Sequence, residues 1–185
     1  QDVHRHEIEF QNPPHARSTF SAHYLRLVNN NKNQTKIFLD VLRRNIFADI
    51  DKIIEKRELT SIKDIFENRG ERYFRKIEKK VTLKILKKEN IVIALGGGAF
   101  INQSIRYVVL RNCVSFWLNM DVKNLSQRFN KTKNRPLLAS GDLEENLREI
   151  YKKRIKFYKL ANYNLRCNKL TKGEIVEKIL DLYAN

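Results

Sequence analysis

The chain reads as an α/β protein built on a parallel sheet flanked by helices, and three features carry that reading. Ile91-Val92-Ile93-Ala94-Leu95 is an unbroken apolar run rich in β-branched residues, the pattern of a strand covered on both faces. Gly96-Gly97-Gly98 follows it at once, where ligands gather outside the carboxyl ends of strands in open α/β sheets. Short apolar runs then alternate with segments of helical period, as Val114–Leu118 does with the segment carrying Leu125 and Arg128. Three glycines bare the main chain for close approach by a ligand and open dihedrals closed to other residues. The plainer alternative is a tight strand-to-helix turn.

A length of 185 residues suits one domain with a substantial core. Residues 1–21 are polar, hold His4, His6, His15 and Pro13-Pro14, and follow neither period, so they read as a poorly ordered arm ahead of a domain over 22–185. Cys113 and Cys167 share no CxxC or Cys/His spacing, which argues against disulfides and structural zinc and points to a reducing cytosol. No stretch approaches the roughly 20 apolar residues of a membrane span, so a cytoplasmic protein without a membrane partner is expected. The net charge of +16 invites a nucleic-acid reading. The lysines are interleaved with glutamates, however, and no binding-module motif accompanies them, so nucleic-acid binding stays the lesser alternative and small anionic substrates the better one.

In order, Tyr24–Val28 is a first strand, followed by Asn29–Gln34 and a helix carrying Ile37, Val41 and Leu42. Ile46–Ala48 makes a second, ending at Asp49-Ile50-Asp51, whose two carboxylates share a side if the segment is extended. Asp51 could equally cap the helix beginning at Ile53. Ser61–Phe66 and Gly70–Glu78 are helical segments, with Phe74, Ile77, Val81, Leu83 and Ile85 on a core face. Taken alone, Arg75 and Glu78 at i, i+3 look like a surface ion pair. Val114–Leu118 is a buried strand, and Asp121 caps the next helix. Asn134–Gly141 is a punctuated, movable loop. A helix from Asp142 through Tyr158, a strand over Tyr163–Cys167, and a helix opened by the capping box Thr171-x-x-Glu174 complete the chain.

Asp-x-Asp, Gly-Glu-x-x-Phe-Arg-x-x-Glu, Leu-Gly-Gly-Gly-Ala, Arg-Pro-Leu-Leu and Arg-x-x-x-Tyr, in that order between Ile46 and Ala161, closely resemble shikimate kinase, a P-loop kinase of the nucleoside-monophosphate-kinase type. The resemblance implies a five-stranded parallel sheet in the order 2-3-1-4-5, a monomer, and ATP-dependent phosphorylation of the shikimate 3-hydroxyl in aromatic amino-acid precursor synthesis. By it, Arg75 and Arg154 would hold the carboxylate of shikimate, and Gly96, Gly97 and Gly98 would line the substrate with backbone. Asp51 would orient or deprotonate the hydroxyl, and Asp49 would hold Mg²⁺. Arg135, on a lid, would close over the transferring phosphate; Arg128 would lie against the nucleotide. Lys32 precedes Asp49 by the family's interval for its phosphate-loop lysine. These residue types suit the chemistry: a guanidinium fork matches a carboxylate, and phosphoryl transfer needs alignment and cations more than covalent help.

The family's Gly-x-x-Gly-x-Gly-Lys-Ser/Thr loop is degenerate here. Aligned on Lys32, it has Arg26, Asn29 and Asn31 at the glycines and Asn33 at the hydroxyl residue, where Asn33 could offer Mg²⁺ only a carbonyl oxygen. Forcing non-glycine residues into such dihedrals costs roughly 1–3 kcal/mol each, so another loop shape is expected. An active kinase with an unusual loop, a shikimate-binding pseudokinase, and an error in the N-terminal third of the sequence are all compatible with this pattern.

Overall fold

The computed structural model describes residues 22–26, 47–89, 91–129 and 143–184. Five strands, β1 (Ala22–Arg26), β2 (Phe47–Asp49), β3 (Ile91–Leu95), β4 (Val114–Asn119) and β5 (Tyr163–Arg166), form one sheet in the order β2-β3-β1-β4-β5. The described helices are α1 (Ile50–Glu58), α2 (Ile62–Ile85), α3 (Gln103–Asn112), α4 (Val122–Phe129), α5 (Leu143–Tyr158) and α6 (Lys172–Ala184), with a 3₁₀ turn at Ala99–Ile101.

The side chains of β3 sort by the two-residue period of a strand. Ile91, Ile93 and Leu95 enter a core with Ile54 of α1, Phe74 and Val81 of α2, Val109 of α3 and Tyr158 of α5. Val92 enters a second core with Phe116 of β4 and with Ile179 and Tyr183 of α6. Helices therefore cover both faces of the sheet, and this is why β3 shows no polar alternation. Burying each large side chain contributes about 1.5–3 kcal/mol, so β3 is held firmly, and with it the turn that follows.

The expectation of an all-parallel sheet is corrected at its centre. β2 runs parallel to β3 and β4 parallel to β5, but β1 pairs antiparallel with both β3 and β4, with Ala22 opposite Leu95 and Arg26 opposite Ile91. β1 also lies at Ala22–Arg26, where the sequence suggested Tyr24–Val28. Perpendicular antiparallel hydrogen bonds are slightly the more stable per residue, and no glycine follows β1 to turn the chain over a ligand. Nothing local therefore imposes the parallel sense. As a result the chain leaves β1 beside the amino end of β3, at the opposite end of the sheet from Gly96. The expected helix around Ile37, Val41 and Leu42 and the loop over Asn134–Gly141 lie outside the described residues.

The two helical segments expected around Phe66 and Phe74 join in α2 through Gly70, whose φ of 77° and ψ of 166° make a kink that only glycine adopts readily. The α2 turns beyond it carry Phe74, Val81 and Ile85 into the core. The capping box at α6 is present: Thr171 N donates to Glu174 Oε2 at 2.7 Å and Glu174 N to Thr171 Oγ1 at 3.3 Å. Among the described residues no helix is long and apolar enough to cross a membrane.

Candidate functional site

Gly96–Gly98 follows β3 on the end of the sheet where β2 also terminates, since Asp49 pairs with Ala94. The turn is closed by its own backbone: Ala99 N donates to Gly96 O at 3.0 Å and Ile101 N to Gly98 O at 3.2 Å. None of the three glycines has a positive φ, so the reading that they supply unusual dihedrals is corrected. Space is the reason at Gly98, where a Cβ would stand 2.7 Å from Arg75 Cζ and 2.8 Å from Nη2. At Gly96 it would rest 3.4 Å from Glu78 Oε1 and 3.6 Å from Asp51 Oδ1.

Arg75 reaches this turn from α2, past the Gly70 kink. Its Nε and Nη2 donate to Glu71 Oε1 at 3.1 and 2.9 Å, and its Nη1 donates to Glu78 Oε2 at 2.8 Å. The spacing i, i+4, i+7 stacks Glu71, Arg75 and Glu78 on one helix face. A guanidinium has five N–H donors, so among the described residues two remain beyond these three bonds. Cζ also lies 5.1 Å from the Phe74 ring, which fixes the plane of the group further.

The surface-pair reading of Arg75 and Glu78 is corrected as well, because Glu78 is only 3% exposed. Burial pushes its carboxyl above the ordinary range, against the opposing pull of Arg75 and Arg154. For Arg75 burial acts to lower the pKa, but Glu78 and Glu71 outweigh it and the guanidinium is held more firmly charged. Such a cation, fixed in plane and backed by bare main chain, is suited to a small carboxylate.

Arg154 approaches from α5. It acts electrostatically on Glu78 and on the hydroxyl of Tyr158, one helical turn onward. That hydroxyl donates to Gly97 O at 2.9 Å. The structure thus brings Asp51, Arg75, Gly96, Gly97, Gly98 and Arg154 to one end of β3, joined through Glu78 and Tyr158. The sequence alone assigns neither Glu78 nor Tyr158 to the site, although both stand inside the quoted motifs. Their spacing from Arg75 and Arg154, three and four residues on a helix, was the available signal.

The two aspartates occupy different structures. Asp49 ends β2 and is the N-cap of α1, with Oδ1 accepting from the Asp51 and Lys52 N–H groups at 3.0 and 3.3 Å. Asp51 lies in the first turn of α1, so the cap expected at Asp51 falls two residues earlier and the extended-segment argument for a shared side does not apply. The described residues include no group of three or more His, Cys, Asp or Glu that could hold a metal. Mg²⁺ is commonly held by one or two carboxylates plus water and substrate phosphate. Asp49, with Oδ1 committed to the cap and Oδ2 outside it, fits that lighter demand. Arg128 belongs to α4, and the expectation for its guanidinium lies outside the described residues, as do those for Lys32, Asn33 and Arg135.

The shikimate kinase family model matches residues 36–184, beginning beyond Lys32 and Asn33. Shikimate kinase from Caldanaerobacter subterraneus subsp. tengcongensis is 38% identical over 137 residues, covering 74% of this chain and 80% of that protein. The enzyme from a Sulfurihydrogenibium species is 37% identical over 134 residues, covering 72% and 80%. Among solved structures, shikimate kinase from Acinetobacter baumannii in complex with shikimate superposes with a TM-score of 0.72 at 30% identity, covering 82% of this chain and 86% of that one. The sheet flanked by helices is accordingly that of an α/β P-loop kinase. With four fifths of its length matched and an arginine-lined glycine turn at the end of β3, the chain belongs to the shikimate kinase family.

Proposed function

We propose that this protein transfers the γ-phosphoryl group of ATP to the 3-hydroxyl of shikimate. The observation that carries the reading is the Arg75 guanidinium, held in plane by Glu71 and Glu78 and set against a turn whose Gly98 has no room for a side chain. Arg75 presents its two remaining N–H donors to the substrate carboxylate, and Arg154 adds a second guanidinium from α5. The Gly96–Gly98 backbone packs along the ring. Asp51, with Oδ1 3.6 Å from where a Gly96 Cβ would be, accepts from the 3-hydroxyl and aims its oxygen for in-line attack.

Bound ATP supplies the phosphoryl group, with Mg²⁺ offsetting the charge that builds on its oxygens. On this reading Asp49 holds the ion through water. Lys32, Asn33, Arg128 and Arg135 serve the nucleotide by resemblance, with Arg135 closing over the transferring phosphate. The sheet order 2-3-1-4-5 is read as that of the P-loop kinases, and the protein as a cytoplasmic monomer. Separate calorimetric titrations with shikimate and with ATP·Mg²⁺, followed by a coupled turnover assay, test the two halves independently. Binding of both with turnover is the expected result. No affinity for shikimate overturns the proposal, and shikimate binding without turnover restricts the protein to a binding role.

A further inference from the structure

Tyr158 is more than a core aromatic. It is 1% exposed, and its ring lies 5.8 Å from that of Trp117, a contact that phenylalanine would make equally well. Its hydroxyl is what phenylalanine would lack. It donates to Gly97 O at 2.9 Å, across 61 residues of sequence, and Arg154, one turn earlier on the same helix, acts on it electrostatically. Gly96 O and Gly98 O are satisfied by the backbone N–H groups of Ala99 and Ile101. Among the described residues, Gly97 O is the one turn carbonyl bonded to a side chain from another element.

We infer that the Tyr158 hydroxyl is a positioning group: by tying α5 to Gly97 O one turn beyond Arg154, it fixes that arginine relative to the Gly97–Gly98 backbone and so sets how strongly the site prefers an acid. The inference rests on the proposed shikimate reading. Arg154 and Arg75 approach from different helices, and Glu78 feels both charges. Two guanidinium groups near one carboxylate are effective only while their separation matches it, and preorganisation of that kind raises affinity by removing an ordering cost. Without the hydroxyl, α5 loses its tie to the turn one helical turn from Arg154, and the Gly97 carbonyl loses its donor.

The test compares shikimate with its methyl ester, which keeps the ring and hydroxyls but carries no charge. Tyr158→Phe should raise the Kd for shikimate about tenfold while changing that for the ester less than about twofold. A structural role alone would weaken both equally, and that outcome overturns the inference, as does an unchanged Kd for shikimate. Wild-type protein that binds no shikimate overturns the underlying reading and this one with it. A second measurement leaves the hydroxyl in place: 3-fluorotyrosine introduced at position 158 should shift its ¹⁹F resonance on saturation with shikimate and hold it with the ester. A resonance unmoved by shikimate counts against the proposal.

Discussion

The two ends of β3 have neighbours of opposite character. At the carboxyl end, Gly96–Gly98 is pinned by its own backbone, by Tyr158 and by the crowding of Arg75, and several charged groups meet there. At the amino end, β1 leaves beside Ile91 with Arg26 as its last residue, and its pairing runs against that of the other strands. The first end is over-determined, since backbone, side chains and the lack of room at Gly98 all require the same arrangement. The second is not, because a strand of five residues between two partners forms a good ladder in either sense unless a turn dictates direction. Glycines supply that dictation at one end and are lacking after β1.

The largest effect should come from making the two ends alike. Restoring the family's loop with Arg26→Gly, Asn29→Gly, Asn31→Gly and Asn33→Ser should raise shikimate-dependent ATP turnover by about 100-fold, the scale of gaining well-placed donors for a developing anionic charge. Steady-state kinetics checks it. Unchanged turnover with ATP binding intact would mean that the loop is not the limiting feature.

Next in size is the turn itself. Gly98→Ala places a methyl on the Arg75 guanidinium, whose Cζ would lie 2.7 Å from it, so the fork must swing away. A loss of about 100-fold in shikimate affinity follows from forfeiting charge-assisted hydrogen bonds. Gly173→Ala is the control: nothing lies within 4 Å of the added Cβ, and alanine within α6 should stabilise by up to about 1 kcal/mol. Equal effects from the two substitutions would remove the argument from space. Arg75→Lys comes third, weakening shikimate by about 1–3 kcal/mol because an ammonium cannot reproduce a planar fork; unchanged affinity by calorimetry would place Arg75 outside the pocket.

The unequal ends also explain what could be read from residues alone. β3, β4, β5 and the helices on either side of them were legible because period and caps are local signals, and so was the convergence of Arg75, Gly98 and Arg154 once the motifs were taken together. The direction of β1 was not, since pairing sense depends on partners distant in sequence. Nor was the depth of Glu78: a glutamate three residues from an arginine on a helix is usually solvated, whereas here the glycine turn lies against it, with Oε1 3.4 Å from where a Gly96 Cβ would be. Asp49 rather than Asp51 became the cap because β2 ran one residue further than its apolar run, to Asp49.

Glu78 gives the subtlest test of this contrast, because it asks whether the crowded end carries an electrostatic cost. Burial raises the folded-state pKa of its carboxyl despite Arg75. A raised folded pKa means that the folded chain holds the proton more tightly than the unfolded one, whose ordinary value is about 4.3. The stabilisation from this group is therefore present below that value and is lost as pH rises through the higher folded pKa. Glu78→Gln removes the titration while its amide oxygen can still accept from Arg75 Nη1. Denaturant midpoints of the two proteins, compared from acid to neutral pH, should show the variant gaining on the wild type as pH rises. A difference that stays flat or falls would mean that the ion pair with Arg75 repays the burial in full, and that this end of β3 is as unstrained electrostatically as it is well packed.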